Sequence, residues 1–284
     1  MIDLAAIRAT APESIGVALA TRRRRPLGSE KLLIVAADHP ARGALGIGAD
    51  PLAMANRHDL LERLATALER PGVDGVLATP DIIDDLALLG LLDDRIVVGS
   101  MNRGGLRGAS FEMDDRYTAY DVPSMVASGV DFAKTLVRIN LADAATAATL
   151  ESTAHAVTAA AAAHLPIMLE PFISSWVDGR IVNDLSTDAV VHSAAIASGL
   201  GASSAYTWLK LPVVDDMDAV LAATTLPVLL LGGEVSADQG AQLATWSKAL
   251  ANPVVRGMIV GRSLLFPPTG TVEEAVDATV GLMR

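Results

Sequence analysis

The sequence predicts an α/β fold, a (β/α)8 TIM barrel with an extra N-terminal helix, and three observations carry that reading. Eight short runs rich in Val, Ile and Leu lie between residues 32 and 265, continuous rather than alternating, as strands buried on both faces require. Amphipathic helical patterns separate them. Eight such units in about 250 residues match the count and size of this barrel. A doubly wound open sheet would not demand eight units, and no GxGxxG follows any run.

Residues 1–27 are expected to form a helical extension over the barrel's bottom. The segment MIDLAAIRATAPESIGVALATRRRRP is not a secretory signal, because its basic residues follow the apolar part and Asp3 and Glu13 interrupt it. The run Arg22 to Arg25 reads as a solvated helix end or subunit contact rather than a nucleic-acid patch, since nothing basic surrounds it. The predicted strands follow as LLIVAADH (32–39), GVDGVLATP (72–80), RIVVGSMN (95–102) and VDFAKTLVRIN (130–140). LPIMLEPFI (165–173), AYTWLKLPV (205–213), LPVLLLGGE (226–234) and RGMIVGRSLL (256–265) complete the set. Asp50, Asp81, Asp215 and Ser236 stand where helix N-caps belong, and TVEEAVDATVGLMR closes the chain as a last helix. No linker interrupts the pattern, so residues 1–284 read as one domain.

Composition excludes several classes of function. A hydrophobic fraction of 51% and mean hydropathy of +0.40 promise an extensive core. No apolar run reaches membrane-spanning length. A net charge of -11 argues against nucleic acid or an anionic membrane as partner. Cysteine is absent, which removes disulfides, thiolate nucleophiles and thiolate metal sites and suits a cytoplasmic protein.

Catalytic groups of such barrels sit at the C-terminal ends of the strands. There the sequence offers Asp38-His39 on strand one, Asn102, Arg103 and Arg107 after strand three, and Lys134 with Arg138 on strand four. Glu170 ends strand five, Lys210 strand six, Gly232-Gly233 strand seven and Gly261-Arg262 strand eight. The chain has only four lysines against eighteen arginines, yet two of the four fall inside strands. A guanidinium does not deprotonate, whereas a buried amine does, and a neutral amine is a nucleophile. If Lys134 and Lys210 share one mouth, like charge and desolvation disfavour the ammonium form. One amine then attacks a carbonyl to form an imine, Glu170 shuttles protons and Asp38 handles a substrate hydroxyl. The glycines after strands seven and eight, with Arg262, suit a phosphate. Glu234 fits poorly there and is expected to turn outward or pair with Arg262. Tyr206 and Trp208 read as core.

This ordered set resembles the class I, Schiff-base aldolases of (β/α)8 fold: deoxyribose-phosphate aldolase, the bacterial and archaeal fructose-bisphosphate aldolases, and tagatose-bisphosphate aldolase. It covers nearly the whole chain after residue 30. The resemblance implies that Lys210 forms the imine, that Lys134, Glu170 and Asp38 assist, and that Gly232, Gly233, Gly261 and Arg262 hold phosphate. His39, Arg103 and Arg138 are added as candidate substrate contacts. More narrowly, the chain is similar to aldolase-like barrels of actinobacterial inositol-degradation clusters. AADHPARG lacks the glycine that many relatives carry after the histidine, and GGE replaces a serine-containing turn.

The expected substrate is a phosphorylated keto-sugar or keto-sugar acid, cleaved to dihydroxyacetone phosphate and an aldehyde. Arg103, Arg107 and Arg138 place positive charge on a second wall, which suits another anion such as the carboxylate of 6-phospho-5-dehydro-2-deoxygluconate. The alternative is that these arginines pair with Glu112, Asp114 or Asp115, and deoxyribose 5-phosphate would not need them. A zinc lyase is disfavoured because only His39 of five histidines lies at a strand end, so neither metal nor cofactor is expected. An imine-forming acyl transferase and a non-catalytic sugar-phosphate-binding barrel complete the alternatives. The partner expected is a small sugar phosphate, with neither nucleic acid nor membrane, in a homo-oligomer.

Overall fold

The computed structural model describes residues 2–236 and 238–283. Its strands in chain order are β1 (Leu32–Ala36), β2 (Gly75–Ala78), β3 (Ile96–Ser100), β4 (Phe132–Ile139) and β5 (Ile167–Val177). β6 (Arg180–Asn183), β7 (Thr207–Pro212), β8 (Val228–Leu231) and β9 (Val255–Val260) follow. All but β6 pair in parallel around the ring β4-β3-β2-β1-β9-β8-β7-β5, which β4–β5 pairing closes. The result is a closed eight-stranded (β/α)8 barrel, with the predicted strands six to eight appearing as β7 to β9.

Alternation along each strand builds two cores. Leu33, Val35, Val97, Ala133 and Leu169 point outward and pack under the helices with Leu64, Ile83, Val157 and Leu265. Leu32, Ile34, Ala36, Leu77, Ile96, Val98, Phe132, Met168, Leu229 and Ile259 fill the lumen. Trp208 joins this inner cluster and meets Phe132 edge to face at 5.3 Å. Tyr206 stacks on His164 at 5.5 Å.

The extra strand is the main departure from the expected order. β5 runs on to Val177, turns at Asp178 (φ 49°) and Gly179 (φ 72°), and pairs antiparallel with β6. Both turn residues have positive φ, the conformation that Asp-Gly favours in a two-residue hairpin. Several helix starts also differ. Asn56, Asp216 and Asp238 cap the helices Arg57–Glu69, Met217–Ala222 and Gln239–Leu250, not Asp50, Asp215 and Ser236. Asp81 lies inside the first turn of helix Pro80–Leu88, behind Thr79.

The N-terminal extension is two helices rather than one, Leu4–Thr10 and Glu13–Thr21. They lie beside helix Pro80–Leu88, where Arg8 pairs with Asp85 at 2.8 Å, so they flank the barrel. The arginines that follow close its bottom. Arg22 and Arg24 reach Asp131 before β4 at 2.7 and 2.6 Å, and Arg25 reaches Asp74 before β2 at 2.7 Å. Arg23 binds Asp93 and Asp94 before β3. The run is thus neither a solvated helix end nor a free basic patch; each guanidinium has a carboxylate at the strand starts. No described helix is long and apolar enough to cross a membrane.

Candidate active site

The lumen's apolar layer sets the phase of the layer above it. Ala36, Val98, Phe132, Met168 and Trp208 point inward. The residue two further along each strand therefore points inward too. Those residues are Asp38, Ser100, Lys134, Glu170 and Lys210. The barrel thus gathers the four predicted catalytic candidates, with Ser100, at the C-terminal mouth.

Their contacts form one chain. Lys210 Nζ lies 2.8 Å from Glu170 Oε1, and Lys134 Nζ lies 2.6 Å from Glu170 Oε2. Lys134 Nζ also donates to Asp38 Oδ2 at 3.2 Å. Arg103 pairs with the same oxygen, and its Nε donates to Ser100 Oγ at 2.9 Å. Ser100 Oγ in turn donates to Asp38 at 3.0 Å. Three cations thus face two carboxylates in a buried cluster, so releasing one proton neutralises it. Burial works against the charge of Asp38, but Arg103 and Lys134 overcome it and hold this carboxyl well below its ordinary range. Burial likewise opposes the charge of Glu170, yet Lys134 and Lys210 pull it down to about 2. Burial also pushes the Lys134 ammonium below its ordinary range, against the pull of Asp38 and Glu170.

The remaining candidates fall into three groups. His39 sits beside Asp38, with its Nδ1 3.9 Å from Oδ1, and burial drives its imidazolium down to about 3. The ring is therefore neutral at pH 7. Arg138 shares the phase of Lys134 but is not a free substrate arm. It donates to Glu112 Oε1 at 2.8 Å and to the Glu112 carbonyl at 2.6 Å, with Asp115 3.6 Å away. Arg103 is equally committed, to Asp38 rather than to the loop acids. The expected second wall of free arginines is thus corrected: Arg138 braces the loop after β3, and Arg103 clamps Asp38. Neither faces the mouth with an unsatisfied charge.

At the turns after β8 and β9, the glycines answer to packing as well as to access. A Cβ on Gly232 would lie 2.6 Å from Val260 Cγ1, and one on Gly261 would lie 2.5 Å from the Ala36 carbonyl. Gly233 has φ +72° with open space beside it. Arg262 leans into this corner, and Glu234, 87% exposed, stays 3.9 Å from it. Among the described residues, no three His, Asp or Glu side chains gather as a metal site.

One site residue escaped sequence reasoning. Ser100 carried a usable signal, being two places after an inward valine on β3.

No match was found among curated proteins. Among solved structures, an archaeal fructose 1,6-bisphosphate aldolase superposes with a TM-score of 0.64 at 18% identity, over 95% of this chain and 98% of that one. A Schiff-base-forming fructose-1,6-bisphosphate aldolase gives 0.64 at 19% identity, over 95% and 100%. At these identities the likeness bears on the barrel fold; it lends no support to an inositol-pathway link. A crystal structure of Cgl0159 from Corynebacterium glutamicum matches with a TM-score of 0.96 and 66% identity, over 99% of this chain and 95% of that one. The model of Cgl0159-like proteins matches residues 30–280, which span every strand and every site residue described above, and the chain belongs to that family.

Proposed function

We propose that this protein is a class I aldolase that forms an imine through Lys210 and cleaves a carbon–carbon bond of a phosphorylated keto-sugar or keto-sugar acid. The observation that carries this reading is the carboxylate of Glu170 set between two buried ammonium groups, one oxygen on each. Among the described residues Lys210 has only that partner, whereas Lys134 is held by Asp38 as well.

In the proposed cycle Lys210 gives a proton to Glu170, and its lone pair attacks the substrate carbonyl carbon. The resulting carbinolamine oxygen takes a proton back and leaves as water, producing a protonated imine. The imine keeps the positive charge of the ammonium it replaces, so the pairing with Glu170 persists through the intermediate. The hydroxyl on the far carbon of the breaking bond then gives its proton to Asp38. Its electrons form the aldehyde C=O, and the carbon–carbon pair moves onto the imine as an enamine. Protonation of that carbon and addition of water release the ketone product and restore the amine. Arg262 and the Gly233 turn suit the phosphate at one end. Dihydroxyacetone phosphate and an aldehyde are the products this reading implies; 6-phospho-5-dehydro-2-deoxygluconate is one substrate of the required kind.

A second assignment has one observation in its favour: burial pushes the Lys134 ammonium below its ordinary range. The test covers both. The protein is incubated with dihydroxyacetone phosphate and reduced with borohydride, and the adduct is located by intact mass and peptide mapping. The expected adduct sits on Lys210 and disappears in Lys210→Arg, which keeps the charge and loses the nucleophile. An adduct that survives there but vanishes in Lys134→Arg reverses the assignment. No adduct with the wild-type protein rejects the imine mechanism.

A further inference from the structure

A cavity of about 340 Å³ lies between helix Gln239–Leu250 and the last helix, Val272–Gly281, and none of the lysines or acids of the mouth lines it. Trp246 and Leu264 in its walls belong to the outer core, so it sits outside the barrel wall. Helical periodicity builds one side. Gln239, Gln242, Leu243 and Trp246 fall at i, i+3, i+4 and i+7, which is a single helix face. The last helix opposes them with Ala275 and Ala278, whose small side chains leave the space open. The volume reaches the range of about 300–1,000 Å³ usual for small-molecule sites.

The polar groups of this cavity are set for a neutral ligand. Glu274 is its one ionised side chain among the described residues, and its carboxylate already accepts the Thr271 N–H at 3.0 Å in a capping box. No cation is there to meet a phosphate or carboxylate. Gln242 spends its amide nitrogen on the carbonyls of Gly232 and Glu234, at 3.2 and 3.3 Å, which leaves Oε1 as an acceptor. Gln239 Oε1 accepts the Thr269 hydroxyl at 3.0 Å, which leaves Nε2 as a donor. The two amides stand one turn apart, a donor beside an acceptor. Ser263, only 6% exposed, lines the cavity and keeps its Oγ buried without a partner among the described residues. A hydroxyl left so costs about 1–3 kcal/mol, which a ligand group can recover. Trp246 adds an aromatic surface for a flat ring. Two of these groups also belong to the mouth's turns: Gln242 holds the carbonyls after β8, and Ser263 directly follows Arg262.

We infer that this cavity binds a neutral planar heterocycle with a donor and an acceptor side by side on one edge, as a nucleobase has, and that its occupancy stiffens the turns carrying Gly233 and Arg262. On the aldolase reading those turns receive the substrate phosphate, so the ligand is an effector of that site. The binding itself does not rest on that reading.

Adenine is the probe, and indole is the comparison: a bicycle of the same shape with a donor alone. Each is titrated calorimetrically into wild-type protein, Ala278→Leu and Gln242→Ala. Ala278 is exposed, so a leucine there fills the cavity without entering the core, and the Tm should not fall. The wild type is expected to bind adenine about tenfold tighter than indole, and Ala278→Leu should weaken adenine by about tenfold or more. Hydrogen exchange read by mass spectrometry should slow by about threefold or more in peptides covering 228–236 and 258–266 when adenine is bound. Gln242→Ala should lose that protection. Undetectable adenine binding, or binding that Ala278→Leu leaves intact, overturns the site. Indole bound as tightly as adenine overturns the paired polar edge. Adenine bound with exchange unchanged overturns the coupling to the turns. A self-associated state lost in Ala278→Leu, seen by sedimentation, overturns the proposal in favour of a second copy covering the cavity. Failed borohydride trapping with adenine binding and protection intact rejects the aldolase chemistry alone.

Discussion

At Glu170 a single carboxylate serves two ammonium groups, and that arrangement fixes how the site responds to acid. Its folded pKa, about 2, lies below the value of ~4.3 expected in an unfolded chain. Its contribution to stability is therefore complete above the unfolded value and is lost as pH falls through about 2. Asp38 acts in the same direction. Glu170→Gln removes the carboxylate and leaves Lys210 without its partner, so it should destabilise the protein by about 3–5 kcal/mol at pH 7. Urea denaturation at pH 7 and at steps from pH 4.5 to 2 measures both effects, and the variant should show the shallower acid limb. His39 has the opposite chemistry and the same sign. Its imidazole stays neutral in the fold down to about 3, while an unfolded histidine takes a proton near 6.5. Stability should therefore fall as pH drops from 6.5 toward 3, by at most about 1.4 kcal/mol per pH unit, and His39→Gln should flatten that slope. An unchanged slope in the variant means that the ring already titrates in the folded state.

Among the elements, the turns after β8 and β9 give a sharper test of packing than of ligand approach. A methyl group on Gly232 would press on the side chain of Val260, which can yield, whereas one on Gly261 would press on the Ala36 carbonyl, which cannot. Gly232→Ala should cost about 1–3 kcal/mol and recover part of it when combined with Val260→Ala. Gly261→Ala should cost at least as much and gain nothing from a side-chain change. Equal rescue of both, read by denaturant midpoints, contradicts this account. The same elements show what the sequence could reveal. Continuous apolar runs located all eight barrel strands, because both faces of each are buried and leave no polar alternation. The period of two then carried Asp38, Lys134, Glu170 and Lys210 into one lumen. The β5–β6 hairpin was missed because β6 is exposed and lacks an apolar run, although Asp178-Gly179 marked its turn. The caps slipped by one to six residues, since loops rich in Asp and Ser offer several adjacent candidates. The pairing of Arg138 with Glu112 was one of the alternatives the sequence offered, whereas the clamp of Arg103 on Asp38 was not, because the loop after β3 has no periodic pattern that says where Arg103 points.

Across the whole molecule the two ends of the barrel use charge in opposite ways. The mouth sets three cations, Arg103, Lys134 and Lys210, against the two carboxylates of Asp38 and Glu170, which suits the reception of an anion. The bottom matches each arginine of the run from Arg22 to Arg25 with an aspartate at a strand start. Asp131 shows how tightly this is built: it takes Arg22 on one oxygen and Arg24 on the other, and accepts the Val97 N–H at 2.9 Å. Arg22 adds hydrogen bonds to the carbonyls of Arg95 and Gly129, so it joins the starts of β3 and β4 to the N-terminal segment. Both members of the pair are buried, at 9% and 8% exposure, so removing Arg22 leaves one oxygen of Asp131 and the two carbonyls short of a donor, while Arg24 still holds the other oxygen. Arg22→Ala should therefore destabilise the fold by about 1–3 kcal/mol. Arg23, whose partners are exposed, should lose less than about 1 kcal/mol on the same change. Because the clamp lies at the end opposite the lysines, neither variant should alter the fraction of folded protein trapped by borohydride with dihydroxyacetone phosphate. Urea midpoints and trapping yields, measured on the same preparations, separate the two quantities. A trapping yield that falls in proportion to stability, under conditions where Arg22→Ala remains folded, would show that the bottom of the barrel shapes the mouth and that the two ends are not independent.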